Sequence, residues 1–421
     1  MTTTAHRKIL MVFLAVFSLS LSLSKTAANV LMTLIYLAGL ILLARYQEYR
    51  RSILSSMNQP LVIPLLAYLA VAVIGIIYTE KLSDGLGITN KVAGLFLVYF
   101  MTSVVIDAVQ GTDERAKLTE NLIVIFIAGV LILDVIGLLT YFGIVGQRKF
   151  ILPVFPMHVH HIWFANINAV GLYAAISFFL SGHGSHRSGR NALFAAFLPL
   201  SALSILFSTS RTAWIGLIVT GLVLTYLYSG KKRIFFLVLG SFAVLCVLSY
   251  FFIPIVQDRV NIGIADIAQY AGGNKETSMG WRFLMWKASL TMFLSNPVFG
   301  IGTGDYVVTM HRYIESGAYP SSLLQFNQPH NMYLFALATN GLLGLGALLF
   351  IFSRIFVVTR SFTGITPGQR QLFFLATAVA IHYLVAGMTD SLFNIFILRL
   401  GFAFVMGICI RTGSVQPAGS G

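Results

Sequence analysis

Twelve apolar stretches, each near the length needed to cross a bilayer, occupy most of this chain and constrain its fold more than any other feature. They run over roughly 9–24, 27–44, 61–78, 88–109, 118–142, 162–180, 191–208, 213–229, 234–253, 331–353, 371–388 and 391–410. A spanning helix needs about 20 mostly apolar residues, so several of these stretches must extend at their ends. Lipid offers no hydrogen bonds to the backbone, so a continuous apolar run satisfies its own N–H and C=O groups as a helix. The expectation is an all-α polytopic membrane protein with about 12 transmembrane helices. Composition agrees, with 57% of the 421 residues hydrophobic and only 10% charged, against about a quarter charged in soluble domains. A water-soluble enzyme is excluded.

The charges that remain set the orientation. Lys and Arg number 28 against 14 Asp and Glu, a formal net charge of +14. In a soluble chain that excess points to nucleic acid. Between spans it follows the rule that cytoplasmic loops collect Lys and Arg. With the N-terminus inside, the inside segments hold Arg7 and Lys8, Arg45, Arg50 and Arg51, Arg115 and Lys117, Arg187 and Arg190. They also hold Lys231, Lys232, Arg233, Arg354, Arg360, Arg370 and Arg411. Both termini are therefore expected in the cytoplasm, with membrane lipids and no nucleic acid as surroundings. The first stretch has the basic lead of a signal peptide. It lacks a small-residue cleavage site and a second span follows directly, so it reads as a retained helix. Cys246 and Cys409 lie in apolar runs and imply no disulfide framework.

The domain organisation follows: helices one to nine over 1–253, an outer loop over 254–330, helices ten to twelve over 331–412, and a small, polar tail over 413–421 expected to be disordered. A loop as long as 254–330 without structure of its own is uncommon. Its run Trp281–Leu294 is too short to span, follows a cap at Ser278 and stops at Asn296-Pro297. It predicts an amphipathic helix at the outer interface, with its Trp residues at headgroup depth.

Ionisable residues at membrane depth are costly and are functional candidates. Arg211 sits in the tight outer turn Ser208-Thr209-Ser210-Arg211-Thr212 with no acidic neighbour in sequence, and its guanidinium fork suits a phosphate-like anion. Snorkelling to headgroups is the alternative reading. Arg282 opens the amphipathic helix and shares the outer face with Arg211; together with a helix N-terminus the two suit a diphosphate. His330, in Gln328-Pro329-His330-Asn331, stands at the start of the tenth span, where the positive helix end favours the neutral imidazole that a general base needs. Asp390 at the last outer turn can orient a His, pair with an Arg, or simply cap a helix. Asp134, inside the fifth span, is a weaker candidate with a polar interhelix contact as its alternative. The His158-Val159-His160-His161 run has no carboxylate or Cys beside it and is a poor metal site. Gly300-Ile301-Gly302-Thr303-Gly304-Asp305 follows no strand and lacks the Lys of a phosphate loop. Asn340-Gly341-Leu342-Leu343-Gly344 reads as close helix approach.

Taken together, Asn296–Gly304, Gln328–Leu334 and Gly341–Gly344 resemble the signature of the O-antigen ligase and polymerase superfamily. The turn at Arg211 and the helix at Arg282 occur where that family has its two key arginines. The resemblance implies a bacterial inner-membrane glycosyltransferase of the GT-C type with a periplasmic active site. It implies transfer of a glycan from undecaprenyl diphosphate to the lipid A–core oligosaccharide, inverting and without metal or other cofactor. His330 is then the general base, Arg211 and Arg282 hold the diphosphate, and Asp390 matches an acidic position in the family's C-terminal spans. Three readings share the signature: ligase, O-antigen polymerase and protein O-oligosaccharyltransferase. The single dominant outer loop favours the ligase, and the chain's end soon after the last span speaks against the third. A transporter or flippase would place ionisable groups at mid-membrane on Gly/Pro-broken helices in matching halves, a pattern the sequence does not show.

Overall fold

The computed structural model describes residues 3–109, 111–145, 160–180, 188–360 and 367–410. His158, Arg148, Lys149, Arg187, Arg411 and the tail 413–421 lie outside the described residues. Within them every regular element is a helix. The first ten are α1 (Thr3–Leu23), α2 (Lys25–Arg45), α3 (Gln47–Met57), α4 (Val62–Ile76), α5 (Leu82–Asp107), α6 (Thr112–Tyr141), α7 (His161–Leu180), α8 (Ser188–Phe207), α9 (Arg211–Ser229) and α10 (Lys232–Phe252). The outer loop contributes α11 (Pro254–Ala271), α12 (Ser278–Ser295) and α13 (Tyr306–Glu315). The chain then returns through α14 (Met332–Thr359), α15 (Pro367–Ala386) and α16 (Phe396–Cys409).

Each of the twelve apolar stretches is helical. By length and composition, six helices among the described residues can cross a membrane alone: α2, α5, α6, α9, α10 and α14. A seventh crossing arises if α3 and α4, bent by 77° at their junction, count as one. The apolar parts of α1, α8 and α16 are shorter. α3 was not legible from hydropathy, since it is polar on much of its surface.

Helix α1 packs on α6, α5 lies between α16 and α4, α14 rests on α4 and α12, and α15 on α9 and α7. The main core runs through these contacts, with Phe17, Phe126, Phe164, Tyr383, Phe402 and Phe404 all fully buried. α10 buries no residue and exposes Phe236, Leu237, Leu245, Phe251 and Phe252. An apolar helix exposed all round needs lipid, not water, as its solvent. Together these features make the chain a helical, polytopic membrane protein.

The outer loop is folded against the bundle. α12 begins at Ser278, three residues ahead of the expected run. Its cap is Thr277, whose Oγ1 accepts the Gly280 N–H at 3.0 Å, and not Ser278. The apolar face of α12, with Met285, Ala288 and Met292, forms a small core with Tyr306, Met310, Leu323 and Phe335. That core fixes the loop between α5, through Ile88, and the start of α14.

α14 is broken at Gly341, which has φ 63° and ψ −154°. The segment 297–302 enters the break and replaces the missing helical bonds. The N–H groups of Ile301 and Gly302 donate to Ala338 O (2.9 Å) and Thr339 O (3.1 Å), while Leu342 N–H donates to Pro297 O at 2.8 Å. Irregular backbone at this depth is tolerated only where protein satisfies it. The glycine run therefore has a structural purpose. Thr303 Oγ1 donates to Ala72 O (2.8 Å) and accepts from Asn340 Nδ2 (2.8 Å). The Asp305 carboxylate accepts the backbone N–H groups of Glu80 and Lys81, at 2.9 to 3.0 Å, just ahead of α5. The signature motif is thus the clamp that seats the outer loop on α4, α5 and α14.

Candidate functional site

His330 is held by three independent contacts at the point where the loop turns into α14. Asn331 caps that helix, its Oδ1 accepting the N–H groups of Tyr333 and Leu334, each at 3.0 Å. Trp286 of α12 donates its indole N–H to Pro329 O at 3.0 Å. The Phe326 ring meets the imidazole edge-on at 5.7 Å. These contacts stabilise a φ of 49° at His330, a left-handed conformation that costs a non-glycine residue about 1–2 kcal/mol. Such a cost persists only where the surroundings dictate it. Trp286 is therefore more than an interfacial anchor, since it fixes the histidine loop.

The His330 Nδ1 lies 3.1 Å from Asp390 Oδ1. Asp390 is buried and also accepts the Ser391 N–H at 2.8 Å. A carboxylate at Nδ1 accepts a hydrogen bond from the Nδ1–H and leaves the lone pair on Nε2, which has no hydrogen-bond partner among the described residues. Among the described residues Asp390 forms no ion pair with an arginine, and its side chain is spent on His330 and the Ser391 N–H. It orients the histidine. Its own turn is tied down from both sides: Met332 N–H donates to Gly387 O (2.7 Å), Asn331 Nδ2 to Met388 O (2.9 Å), and the Thr389 and Thr212 hydroxyls meet at 2.9 Å. The last contact brings the start of α9 to the site.

Arg211 is the first residue of α9, behind the Ser210 cap. Its Nη2 lies 3.9 Å from Asp266 Oδ2 of α11, an ion pair too long for a hydrogen bond. Gly263 backs the guanidinium so closely that a Cβ there would lie 2.7 Å from Nη1. Arg259, one turn earlier on α11, donates to Thr209 O at 3.3 Å. Arg282 has only Met279 Sδ as a partner, at 3.8 Å, and forms no ion pair among the described residues. Burial pushes the Arg282 guanidinium below its ordinary pKa; Asp390 opposes that shift and Arg211 adds to it. Burial lowers Arg259 as well, reinforced by Arg211 and opposed by Asp266. Arg211 thus lies within electrostatic reach of both Arg259 and Arg282, and the carboxylates near the three are Asp266, paired with Arg211, and Asp390, bonded to His330. An anion is what such a group lacks.

Sequence reasoning singled out Arg211, Arg282, His330 and Asp390, and the fold brings all four together. It missed Arg259 and Asp266. Residues 259, 263 and 266 fall on one face at helical spacing, so treating 254–271 as an amphipathic helix would have found them. It also undervalued two histidines. His161 Nδ1 lies 2.9 Å from Ser208 O, and the His160 ring lies 4.4 Å from the His161 ring. Burial lowers the pKa of His160, with Asp390 opposing and His330 adding to the shift. These histidines border the site, and among the described residues no three His, Cys, Asp or Glu side chains converge as metal ligands do. Asp134 is buried beside Ser204 and Asn168, within the packing of α6, α7 and α8 and not among these groups.

The fold and site define a helical membrane protein in which a carboxylate-bonded histidine and a cluster of arginines share one region. Residues 194–351 match the family described as O-antigen ligase. The matched stretch contains Arg211, Arg259, Arg282 and His330, while Asp390 lies beyond it. A protein of Haemophilus influenzae, described as uncharacterized, is similar: 27% identical over 320 residues, which is 68% of this chain and 77% of that protein.

Proposed function

We propose that this chain is a glycosyltransferase that moves O-antigen glycan from undecaprenyl diphosphate to the lipid A–core oligosaccharide on the periplasmic face of the bacterial inner membrane. In this reading the chain crosses the membrane about twelve times, with a GT-C type architecture and both termini cytoplasmic. The outer loop 254–330 joins helices one to nine (1–253) to helices ten to twelve (331–412). The observation that supports the chemistry best is the His330–Asp390 pair at 3.1 Å beside Arg282, a half-buried guanidinium with no ion-pair partner among the described residues.

The step balances without a metal. The acceptor hydroxyl loses its proton to His330 Nε2 as its oxygen bonds to the anomeric carbon of the donor. The bond from that carbon to the diphosphate breaks, and the electron pair leaves with the carrier diphosphate. Attack opposite the leaving group inverts the anomeric centre. Negative charge grows on the departing oxygens, where Arg211 and Arg282 act. Positive charge grows on the imidazole, where Asp390 acts.

The test uses the full chain in proteoliposomes with a diphospholipid-linked glycan and lipid A–core. His330→Ala is expected to lower transfer by about 10²–10⁴-fold while the protein remains folded and inserted. Full transfer by that variant refutes the base assignment. Elongation of the carrier-linked glycan by the wild type, with nothing moved to lipid A–core, makes the protein a polymerase instead.

A further inference from the structure

Two histidines at the start of α7, His160 and His161, take no part in the transfer chemistry above. His160 stands just ahead of that helix and closes its first turn. Its carbonyl accepts the Phe164 N–H at 2.9 Å, and its Nδ1 accepts the Ile162 N–H at 3.4 Å. A ring nitrogen that accepts carries no proton, so the neutral imidazole holds its proton on Nε2 as an N–H donor. The His160 side chain is exposed, and that donor has no hydrogen-bond partner among the described residues. Ser, Thr, Asp and Asn are the better helix caps, so capping does not account for an imidazole here.

Aromatic neighbours hold the ring in place. The His161 ring lies 4.4 Å away, tilted by 47°, and the Trp163 ring lies 5.6 Å away, tilted by 46°. His161 is fixed in turn, its Nδ1 donating to Ser208 O at 2.9 Å. Trp163 is partly buried, and its indole N–H forms no hydrogen bond among the described residues. The start of α7 thus gathers aromatic rings and two N–H donors that the fold leaves unused. A sugar offers the matching surface: hydroxyl oxygens that accept hydrogen bonds at its rim, and C–H groups that pack on aromatic rings.

Printed contacts tie this group to the reacting residues. Ser208, which holds His161, opens the turn that leads to Arg211 and Thr212, and the Thr212 hydroxyl meets that of Thr389, the neighbour of Asp390, at 2.9 Å. The two histidines have different charged surroundings. His160 is within electrostatic reach of His330 and Asp390, whereas His161 is within reach of Arg259 and Arg282. His160 therefore belongs with the base, where the acceptor hydroxyl gives up its proton, and His161 with the arginines. We propose that His160 and Trp163 bind the acceptor sugar, the His160 Nε2–H donating to one of its hydroxyl groups and the Trp163 ring packing on its C–H face. This deepens the proposed function and rests on it for the acceptor's being a sugar; His160 holds that sugar, and His330 remains the base.

The test separates capping from sugar binding. In His160→Asn the new side chain can cap α7 but is too short to place a donor where Nε2 stands, while in His160→Gln the amide N–H₂ reaches that position. The full chain in detergent is titrated by calorimetry with core oligosaccharide freed of lipid A, and transfer to lipid A–core is assayed in proteoliposomes. His160→Asn and Trp163→Leu are each expected to weaken oligosaccharide binding and raise the acceptor KM by about 3- to 10-fold, the scale of one neutral hydrogen bond or one aromatic contact. Donor KM and the thermal midpoint of His160→Asn should stay at wild-type values, and His160→Gln should recover part of the binding. Wild-type binding by His160→Asn or by Trp163→Leu, a defect of His160→Asn confined to donor KM, or a wild type that binds no core oligosaccharide overturns the site. If the wild type binds the oligosaccharide through His160 yet transfers nothing to lipid A–core, the proposed function fails and the sugar site stands.

Discussion

Replacing Asp390 with Asn separates the charge of the His330 partner from its shape. Asp390 is buried and meets both His330 Nδ1 (3.1 Å) and Ser391 N–H (2.8 Å) through the same oxygen. An amide oxygen in that place keeps both hydrogen bonds, so the variant loses the negative charge with little change in geometry. During transfer the imidazole becomes cationic, and opposite charges about 4 Å apart attract by about 4 kcal/mol at an effective dielectric constant of 20. That is an upper value. The difference between a charged and a neutral hydrogen-bond partner, about 1–1.5 kcal/mol, is a lower one. The expected loss in kcat is therefore about 10- to 10³-fold. KM for the donor should hold or fall, because Asp390 also lies within electrostatic reach of Arg282, and removing it leaves that arginine freer for an anion. Initial rates in proteoliposomes, with donor and acceptor each varied, give the two constants, and size-exclusion behaviour reports folding. A variant within threefold of wild-type kcat, or one whose entire defect lies in donor KM, refutes the positioning role.

Arg282→Gln and Arg211→Gln are each expected to lower kcat/KM by about 10²–10³-fold, the usual effect of removing one donor to a growing negative charge; titration with carrier diphosphate should show weakened product binding in both. Gly341→Ala forces a side chain into a φ of 63°, with its Cβ 2.7 Å from Gly300 N. It should destabilise the protein by at least about 1–3 kcal/mol, visible as a lower thermal midpoint in detergent, and an unchanged midpoint contradicts the clamp at the break in α14. The outer loop also has an acid-sensitive tie. Its Arg312 hydrogen bonds hold Glu80 below the ordinary carboxylate pKa of 4.5. A lowered pKa contributes stability that is present at neutral pH and lost as pH falls through the folded-state value, so hydrogen exchange in α13, corrected for intrinsic rates, should rise on acidification in the wild type and much less in Glu80→Gln.

Much of the candidate site is legible in the sequence because charges in an apolar chain are scarce. Arg211 and His330 stand out where runs of 16 or more apolar residues end, and Asp390 is the one carboxylate after Glu315. Arg282 stood out because it opened a run too short to span. Arg259 and Asp266 did not, since they sit in a polar stretch where a charge needs no explanation until the helix and its face are known. The purpose of the glycine run was equally hidden. Gly300, Gly302 and Gly341 read locally as phosphate loop or close helix approach, yet their partners lie about forty residues apart in the chain.

The amino-acid sequence alone determined that this protein is helical and lipid-embedded, where its apolar helices fall, and which ionisable residues stand at helix ends. Those properties are local: hydropathy and capping are set by neighbours within about twenty residues. Tertiary structure decided that His330 finds Asp390, 60 residues away. It likewise set Arg211 beside Asp266 and Arg259, and placed the turn segment 297–302 in the break of α14. Each of these depends on which helices pack together, and in a membrane that choice follows from close packing and a few polar contacts, which no apolar pattern records.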